Sequence, residues 1–315
     1  MGILLADKYA QWEKECEERF QSLKRNEEEL NKLFIDIYGL NNELIPDVDD
    51  TNVSVRKANL QREIKSLISY FVGCLMGRYS LEHEGLIYAG GDFDRSKFAD
   101  YVDDDGILPI YQFIGINDGL TLSICKLVKR VYGDTYYREN LDFIADALGR
   151  KTEEGAEEAI NRYLNDDFYK DHLKVYQNRP IYWMFSSGKV GAFKCLVYLH
   201  RYDKNTLAKI NAKYFLPRTA MYKAEGERLA DQFKRADIAQ KKKIDNQLKQ
   251  IEAAQEELQI YGQVLDHMAN QFIDIDLDDG VKVNYVKFQG VSIVVNGATV
   301  KKDLLVPFGL EKTKK

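Results

Sequence analysis

The 315-residue sequence is poor in cysteine, proline and histidine, and each shortage excludes a class of protein. The four cysteines are far apart and never form a C-x-x-C pair, so we expect reduced, buried thiols in a cytoplasmic protein. The four histidines are isolated from one another and from the cysteines, which leaves no metal-ligand spacing. No apolar run approaches the ~20 residues that cross a bilayer, so no membrane partner is expected. With only five prolines, long helices are favoured.

Motifs of cofactor and catalytic chemistry are missing as well. The chain has no Gly-x-Gly, so it contains neither a dinucleotide fingerprint nor the glycine loop of a Rossmann-type methyltransferase. Walker A, G-x-S-x-G and H-E-x-x-H sequences are also absent. Asp47 followed by Glu63 and Lys65 matches a PD…ExK nuclease in spacing. That motif sits on strands, whereas Glu63 and Lys65 fall in a predicted helix, where residues two apart face different ways.

A second partial motif lies near the carboxyl end. Asp274, Asp276 and Asp278 resemble the start of a calcium loop, but the sixth position is Asp279 instead of Gly and the twelfth is Tyr285 instead of Glu. Because these aspartates alternate with apolar residues, we expect them on the solvated face of a strand. No metal site is therefore assigned.

Positive charge is concentrated in one stretch. Residues 171–218 include nine Lys or Arg and two Asp, a net charge of +7 in a chain whose total is −5. Within it, runs rich in aromatic and β-branched residues at 181–185 and 193–200 flank a short loop, which is the pattern of an antiparallel hairpin with a mobile loop. A basic patch with interleaved Tyr and Trp predicts a polyanion site. The alternative for the aromatic residues is that they are core.

Helical patterns occupy most of the remaining chain. Apolar residues recur at helical spacing over 7–38 and stop at Gly39, and the first 50 residues hold thirteen acids against six bases. We expect this one-sided helix to pack on another body, within this chain or outside it. Further helices are predicted near 60–75, 120–131, 139–148, 153–164 and 167–176. The Gly- and Asp-rich interval 81–116 predicts short strands or loops, and the acidic stretch 81–170 is expected to pack against protein.

The carboxyl part predicts a helical hairpin followed by strands. From 206 to 272 the pattern has two helical arms, and the second carries apolar residues on a heptad seam from Ile244 to Phe272. An antiparallel coiled coil within the chain is the simpler interpretation, and a dimer through the same seam is the alternative. Residues 272–308 alternate apolar and polar side chains and predict two or three strands.

Several ordered blocks also carry a resemblance to a known family. They are 26–40 (NEEELNKLFIDIYGL), 55–58 (VRKA), 69–80 (SYFVGCLMGRYS), 140–149 (NLDFIADALG), 179–187 (RPIYWMFSS), 198–202 (YLHRY) and 275–285 (IDLDDGVKVNY). Through them nearly the whole chain resembles the carboxy-terminal part of the PglX family, adenine-specific DNA methyltransferases of BREX phage-defence systems that are related to single-chain restriction-modification enzymes. The resemblance implies a target-recognition and helical region that clamps double-stranded DNA.

The same resemblance implies what this chain does not do. Members of the family bind S-adenosylmethionine and hold the flipped adenine with an Asn-Pro-Pro-Tyr tetrapeptide, and no Pro-Pro pair occurs here. We therefore assign no catalytic residue and no cofactor to this chain alone.

The expected fold is mainly α with a minor β part (α+β). We divide it into a spacer helix and loop (1–50), a helical domain with an acidic insert (51–178), a basic hairpin and helix start (179–218), a coiled-coil helical hairpin (219–272) and carboxy-terminal strands with a tail (273–315).

The expected function is DNA recognition for an adenine-N6 methyltransferase. Phosphate contacts are predicted for Lys189, Lys194, Arg201, Lys204, Lys209 and Lys213, and approach to bases for Tyr202, Ser186 and Ser187. The alternative is an interaction scaffold, in which the acidic helix and the coiled coil dock the methyltransferase domain or another phage-defence protein. A metal-dependent nuclease is a third interpretation.

Overall fold

The computed structural model describes residues 2–111, 119–295 and 297–307, which form two compact units. One unit consists of residues 1–68 and 126–156, and the other of residues 69–125 and 157–315. The described α-helices are α1 (Leu5–Tyr38), α2 (Leu60–Leu75), α3 (Leu120–Tyr132), α4 (Tyr137–Ala147), α5 (Ala156–Asp166), α6 (Phe168–Val175), α7 (Thr206–Lys209), α8 (Leu216–Arg235), α9 (Ile238–Ala269) and α10 (Val281–Val286). A π-helical segment, Ile210–Phe215, joins α7 to α8.

The described strands are few and short, namely β1 (Ile107–Pro109), β2 (Tyr182–Ser186), β3 (Lys194–Tyr198), β4 (Val291–Val295) and β5 (Ala298–Lys302). They form two antiparallel sheets, with the orders β1-β3-β2 and β4-β5. The predicted fold class, mainly α with a minor β part, is confirmed.

In the first unit, the amino-terminal half of α1 packs on α4. The side chain of Asn140 is buried, accepts a hydrogen bond from Leu5 N at 2.7 Å and donates one to Ile3 O at 2.9 Å. Cys16 and Phe20 are buried further along α1, and the helix ends at Gly39, whose φ of +69° few other residues adopt. Trp12 in the same half is 39 % exposed, so this half of the predicted amphipathic face is covered only in part.

The carboxyl half of α1 differs, because one face of it exposes apolar side chains, although Ile35 on another face is buried. We call this surface the apolar stripe; its members are Leu30, Leu33, Phe34, Ile37 and Tyr38 on the helix, and Leu44 and Ile45 on the loop that follows. Phe34 is 55 % exposed and Ile37 64 %. A run of exposed apolar residues at helical spacing is the pattern of a contact surface.

In the second unit, the aromatic hairpin forms the centre of the three-stranded sheet. Trp183 pairs with Val197, which in turn pairs with Ile107 on β1. Tyr182, Trp183, Phe185 and Phe193 are all buried, so the interpretation of these aromatic residues as core is confirmed. The predicted hairpin is correct to within two residues at each strand end.

Helices α8 and α9 form the predicted hairpin within this chain. Gln255 Nε2 donates to Tyr222 O at 3.2 Å, and a Cβ on Gly226 would lie 3.2 Å from Ile251, so the two helices run antiparallel. Most of the seam is buried, including Leu258 and Leu265, whereas Phe272 lies beyond the helix and is exposed.

The prediction for residues 273–286 was wrong. They form a turn of 3-10 helix at Leu277–Asp279 followed by α10, and only β4 and β5 are strands. The physical reason is local: the Asp276 side chain accepts from Asp278 N, and the buried Asn284 amide bonds both Asp276 and Gly280. The aspartates predicted for the face of a strand instead lie in this capped loop.

Candidate nucleic-acid interface

The loop between β2 and β3, residues 187–193, is tied to α9 by one carboxylate. Glu257 accepts hydrogen bonds from Ser187 Oγ at 2.6 Å, Val190 N at 2.8 Å and Ala192 N at 3.2 Å. Such charge-assisted bonds to backbone donors are stronger than neutral ones. The loop is therefore anchored to α9, which corrects the sequence prediction of a mobile loop.

A buried arginine supports the same loop. Arg218 is almost fully buried; its guanidinium donates to Ala192 O at 3.3 Å and stacks over the rings of Tyr111 and Tyr222. Lys194, at the start of β3, is half-buried and donates to Asn165 O at 2.9 Å. Burial lowers the pKa of the Lys194 ammonium below its usual value. Both cations are engaged within the protein.

Arg201 is engaged by the acidic insert. Its guanidinium donates to the carbonyl oxygens of Asp103 at 2.8 Å and Asp104 at 2.5 Å, and lies over the Phe93 ring at 3.9 Å. This arginine therefore holds the loop of residues 103–105 against the end of β3. An Arg in such a position stabilises the fold through its stacked plane as well as its charge.

The π-helical segment supplies two more contacts to that loop. Lys213 Nζ and Tyr214 Oη both lie 2.8 Å from the Asp105 carboxylate. The neighbouring Asp103 carboxylate accepts from three backbone N–H groups, but burial and the charge of Asp105 raise its pKa to about 6. The Asp105 carboxylate thus balances part of the net positive charge of residues 171–218.

Four further predicted residues are also held by contacts within the protein. Lys209 pairs with Asp203 at 2.6 Å, and Tyr202 Oη donates to Ile273 O at 3.1 Å. Ser186 and Ser187 are both buried, and the Ser186 hydroxyl lies next to Gly188. An open pocket of about 430 Å³ near Lys209 is lined by Asp92, Asp104 and Asp203 as well as by cations, so it does not favour an anion.

Lys189 and Lys204 are the two predicted residues that remain available. Both are exposed, and neither has an ion pair or hydrogen bond in the described part of the chain. A Cβ on Gly188 would lie 2.8 Å from Lys302 Nζ, so Lys302 at the end of β5 reaches the loop beside Lys189. We call Lys189 and Lys302 the basic loop site. Lys204 follows the opposite end of β3, where Tyr198 pairs with Tyr182, and is a separate exposed cation.

Sequence reasoning missed two members of this region. The 103–105 loop and Lys302 lie about a hundred residues away in sequence from the groups they approach, and no local pattern connects them. For the 103–105 loop the sequence did contain a signal, which is its acidity. An acidic segment is expected to pair with the basic window of the same chain. For Lys302 no signal was available.

Among the described residues, the structure has no group of three or more His, Cys, Asp or Glu placed to hold a metal ion. Glu63 of the nuclease-like spacing is bonded by Arg62 at 2.6 Å. The four cysteines, Cys16, Cys74, Cys125 and Cys195, are buried thiols that form no disulfide among the described residues, as predicted. None of the helices described has the length and apolar character of a membrane span.

Comparison with known proteins places the chain beside a segment of bacterial adenine-specific methyltransferases. It is 47% identical over 290 residues to the adenine-specific methyltransferase PglX of Lacticaseibacillus casei (strain Zhang), covering 89% of this chain and 24% of that protein. It is 42% identical over 252 residues to the adenine-specific methyltransferase BrxX of Escherichia coli O9:H4 (strain HS), covering 76% of this chain and 21% of that protein. No family profile matches the chain.

These similarities confirm the resemblance to PglX that the sequence blocks indicated. The chain spans about a quarter of the length of the curated relatives that it matches.

Proposed function

We propose that this chain is the DNA-recognition segment of an adenine-N6 DNA methyltransferase of a BREX-type phage-defence system, without methyl transfer of its own. The observation that carries the proposal is Lys189, which is exposed and unpaired in the described structure on a loop that Glu257 fixes, beside Lys302. Cations on a preorganised loop contact phosphates without an ordering cost. The similarity to two adenine-specific methyltransferases supports DNA as the polyanion.

In this proposal the nine predicted residues have different parts. Lys189 and Lys302 of the basic loop site contact phosphates, and Lys204 contacts phosphates beyond the other end of β3. Lys209 and Lys213, which are paired with Asp203 and Asp105, hold the backbone beside them. Lys194 and Arg201 position the loop and the end of β3. For Ser186, Ser187 and Tyr202 the proposed part is to hold the backbone near the bases, because their hydroxyl groups are engaged within the protein.

The methyl donor and the flipped adenine are assigned to other segments of such an enzyme. This chain has no Gly-x-Gly loop and no Asn-Pro-Pro-Tyr sequence. We therefore expect no methylation of adenine by this chain alone, even with S-adenosylmethionine present.

Charge reversal at the two exposed lysines, Lys189 and Lys204, tests the proposal. Lys189→Glu with Lys204→Glu is expected to weaken binding of a generic duplex about tenfold or more in low salt, because two phosphate contacts become repulsive. The readout is fluorescence anisotropy, with circular dichroism to check folding. Lys8→Glu with Lys32→Glu is the matched control, since it makes the same change of charge at exposed positions of α1. Equal loss in both variants would contradict the placement of the site, and no binding by the wild type would contradict the function.

The apolar stripe favours a second function, which is docking of another protein segment. Its side chains are flanked by carboxylates: residues 26–50 contain eight Asp or Glu and one Lys. Two copies of so acidic a surface would repel each other, so the stripe fits an apolar groove with a basic rim rather than itself. We propose that this groove belongs to the methyltransferase portion of the enzyme.

This docking is tested with the part of the Lacticaseibacillus casei relative that lies outside the matched segment. Phe34→Glu with Ile37→Glu is expected to abolish co-purification with that part and to leave the circular dichroism spectrum unchanged, because both side chains are exposed. Gln21→Glu with Lys32→Gln changes the net charge equally at polar positions of α1 and is expected to retain binding. Retained binding by the first pair would rule out the stripe as the contact.

A further inference from the structure

The tip of the α8–α9 hairpin is a defined surface. Only Ala236 and Asp237 separate the two helices. The Asp237 carboxylate accepts from Gln240 N at 2.8 Å, and the Gln240 side chain accepts in return from Asp237 N. This capping box satisfies the first N–H groups of α9 and fixes the turn. The tip therefore presents its side chains from an ordered backbone.

Those side chains are cationic and exposed. Residues 232–244 contain five Lys or Arg and one Asp. Lys234 pairs with Asp231, and Lys241 lies over the Phe233 ring, but Arg235, Lys242 and Lys243 have no ion pair or hydrogen bond in the described structure. We call Arg235, Lys242 and Lys243 the tip cations. Charges left unpaired on a protein of net charge −5 are available to an anionic partner.

Helix α9 sets the distance between the tip and the basic loop site. Glu257, which anchors the loop that carries Lys189, is nineteen residues after Ile238, the first residue of α9. At 1.5 Å per residue this is about 28 Å along the helix axis. One turn of duplex DNA is about 34 Å long, with a phosphate charge every ~1.7 Å. A single straight duplex is thus long enough to meet both sets of cations.

We propose that the tip cations form a second phosphate-contact site for duplex DNA, within one helical turn of the basic loop site. This inference rests on the proposed function and extends it to a part of the chain outside the basic window. A membrane surface fits less well, because membrane binding needs a broad apolar face, whereas the tip exposes one fully accessible apolar side chain, Ile238, at 91 %. The paired helices hold the two sites at a fixed separation, so both contribute to one binding event.

The test compares salt dependence on two lengths of DNA, using the full chain. Arg235→Gln, Lys242→Gln and Lys243→Gln together are expected to reduce the slope of log affinity against log salt by about two to three on a duplex of about 24 base pairs. On a hairpin of about six base pairs, roughly 20 Å long at 3.4 Å per base pair, the wild type and this variant are expected to bind alike, since such a short duplex cannot span both sites. Lys8→Gln, Lys14→Gln and Lys32→Gln together are the charge-matched control.

The outcomes separate this inference from the proposed function. If the tip variant keeps the slope of the control while Lys189→Glu with Lys204→Glu loses affinity, the second site is wrong and the recognition function stands. If the wild type binds neither the duplex nor the short hairpin, both the second site and the recognition function are wrong. Binding of the wild type to anionic phosphatidylserine vesicles, lost in the tip variant without any change in DNA binding, would reassign the tip to membranes and overturn the inference.

Discussion

At the scale of single residues, the contacts of each cation matter more than the total charge. The window of +7 includes Arg218, which is buried, and Arg201 and Lys213, which hold the acidic loop of residues 103–105. Composition could predict where positive charge accumulates, but it could not predict which charges are used internally. Lys189 and Lys204 are exposed because both lie in loops, and the phosphate contacts predicted for them stay a prediction.

Glu257 is the residue on which the geometry of the basic loop depends. Glu257→Gln is expected to lower the free energy of unfolding by about 1–3 kcal/mol, because the neutral amide turns N–H groups toward backbone donors that need an acceptor. Urea denaturation followed by circular dichroism measures this change. Glu256→Gln, at the exposed neighbouring position, is the control and is expected to have an effect within about 0.5 kcal/mol. Equal stability of both variants would show that the three hydrogen bonds do not hold the loop.

The burial of His172 leads to a prediction of how the free energy of unfolding depends on pH. It is buried between aromatic rings, with Tyr182 stacked at 4.9 Å, and burial lowers its pKa to about 3. In the unfolded chain the imidazole takes up a proton near pH 6.5. Between pH 6.5 and 3 the unfolded state therefore binds one more proton than the native state. Because of this difference, the free energy of unfolding decreases as the pH falls, by up to about 1.4 kcal/mol per pH unit.

Replacing the histidine is expected to flatten that dependence. In His172→Gln, the slope of unfolding free energy against pH between 6 and 4 should be smaller than in the wild type by about 1.4 kcal/mol per pH unit, which corresponds to the uptake of one proton. Asp103, whose pKa is raised to about 6, acts in the opposite sense in this interval and is unchanged in the variant, so it cancels from the comparison. Identical slopes in the two proteins would mean that His172 is protonated in the native state.

At the scale of elements, local periodicity predicted most helices and the central hairpin. Each has apolar residues at its own period and a clear end, such as Gly39 after α1. The predictions failed where hydrogen bonds of a side chain determine the backbone conformation. Alternation over 281–285 indicated a strand, but Gly280 and the Asn284 amide close a helical turn there. The π-helical segment also has no sequence signal, since its contacts to Asp105 are distant in the chain.

Helix packing in the second unit depends on one glycine of α9. A Cβ on Gly262 would lie 2.8 Å from the ring of Phe215, which is itself wedged against Phe193 and Tyr261. Gly262→Ala is therefore expected to destabilise the protein by about 1–3 kcal/mol, although alanine favours a helix more than glycine does. Gly226→Ala, where the new Cβ meets the γ2 methyl of Ile251 at 3.2 Å and the flexible Gln255 side chain at 3.5 Å, is expected to be within about 0.5 kcal/mol of neutral. Thermal or urea unfolding of the two variants distinguishes these effects, and equal stabilities would contradict the close packing.

At the scale of the whole molecule, the chain combines a fixed basic loop, a cationic helical tip and an acidic helix with an exposed apolar stripe. The sequence blocks predicted the relationship to adenine-specific methyltransferases, and the comparisons confirm it over about a quarter of those proteins. The basic loop site could be predicted only in part, because Lys302 joins it through the fold. In the proposed function, the cations contact DNA and the apolar stripe contacts another protein segment.

The most direct test of the central claim is an anisotropy titration of the unmodified chain with a generic duplex of about 24 base pairs, from low to physiological salt. The account predicts binding in low salt that weakens as salt rises, with a slope of log affinity against log salt of about −3 to −5, the value for release of counterions from three to six phosphates. Unchanged anisotropy in low salt, or binding that does not respond to salt, would contradict DNA recognition by this chain and favour the docking function instead.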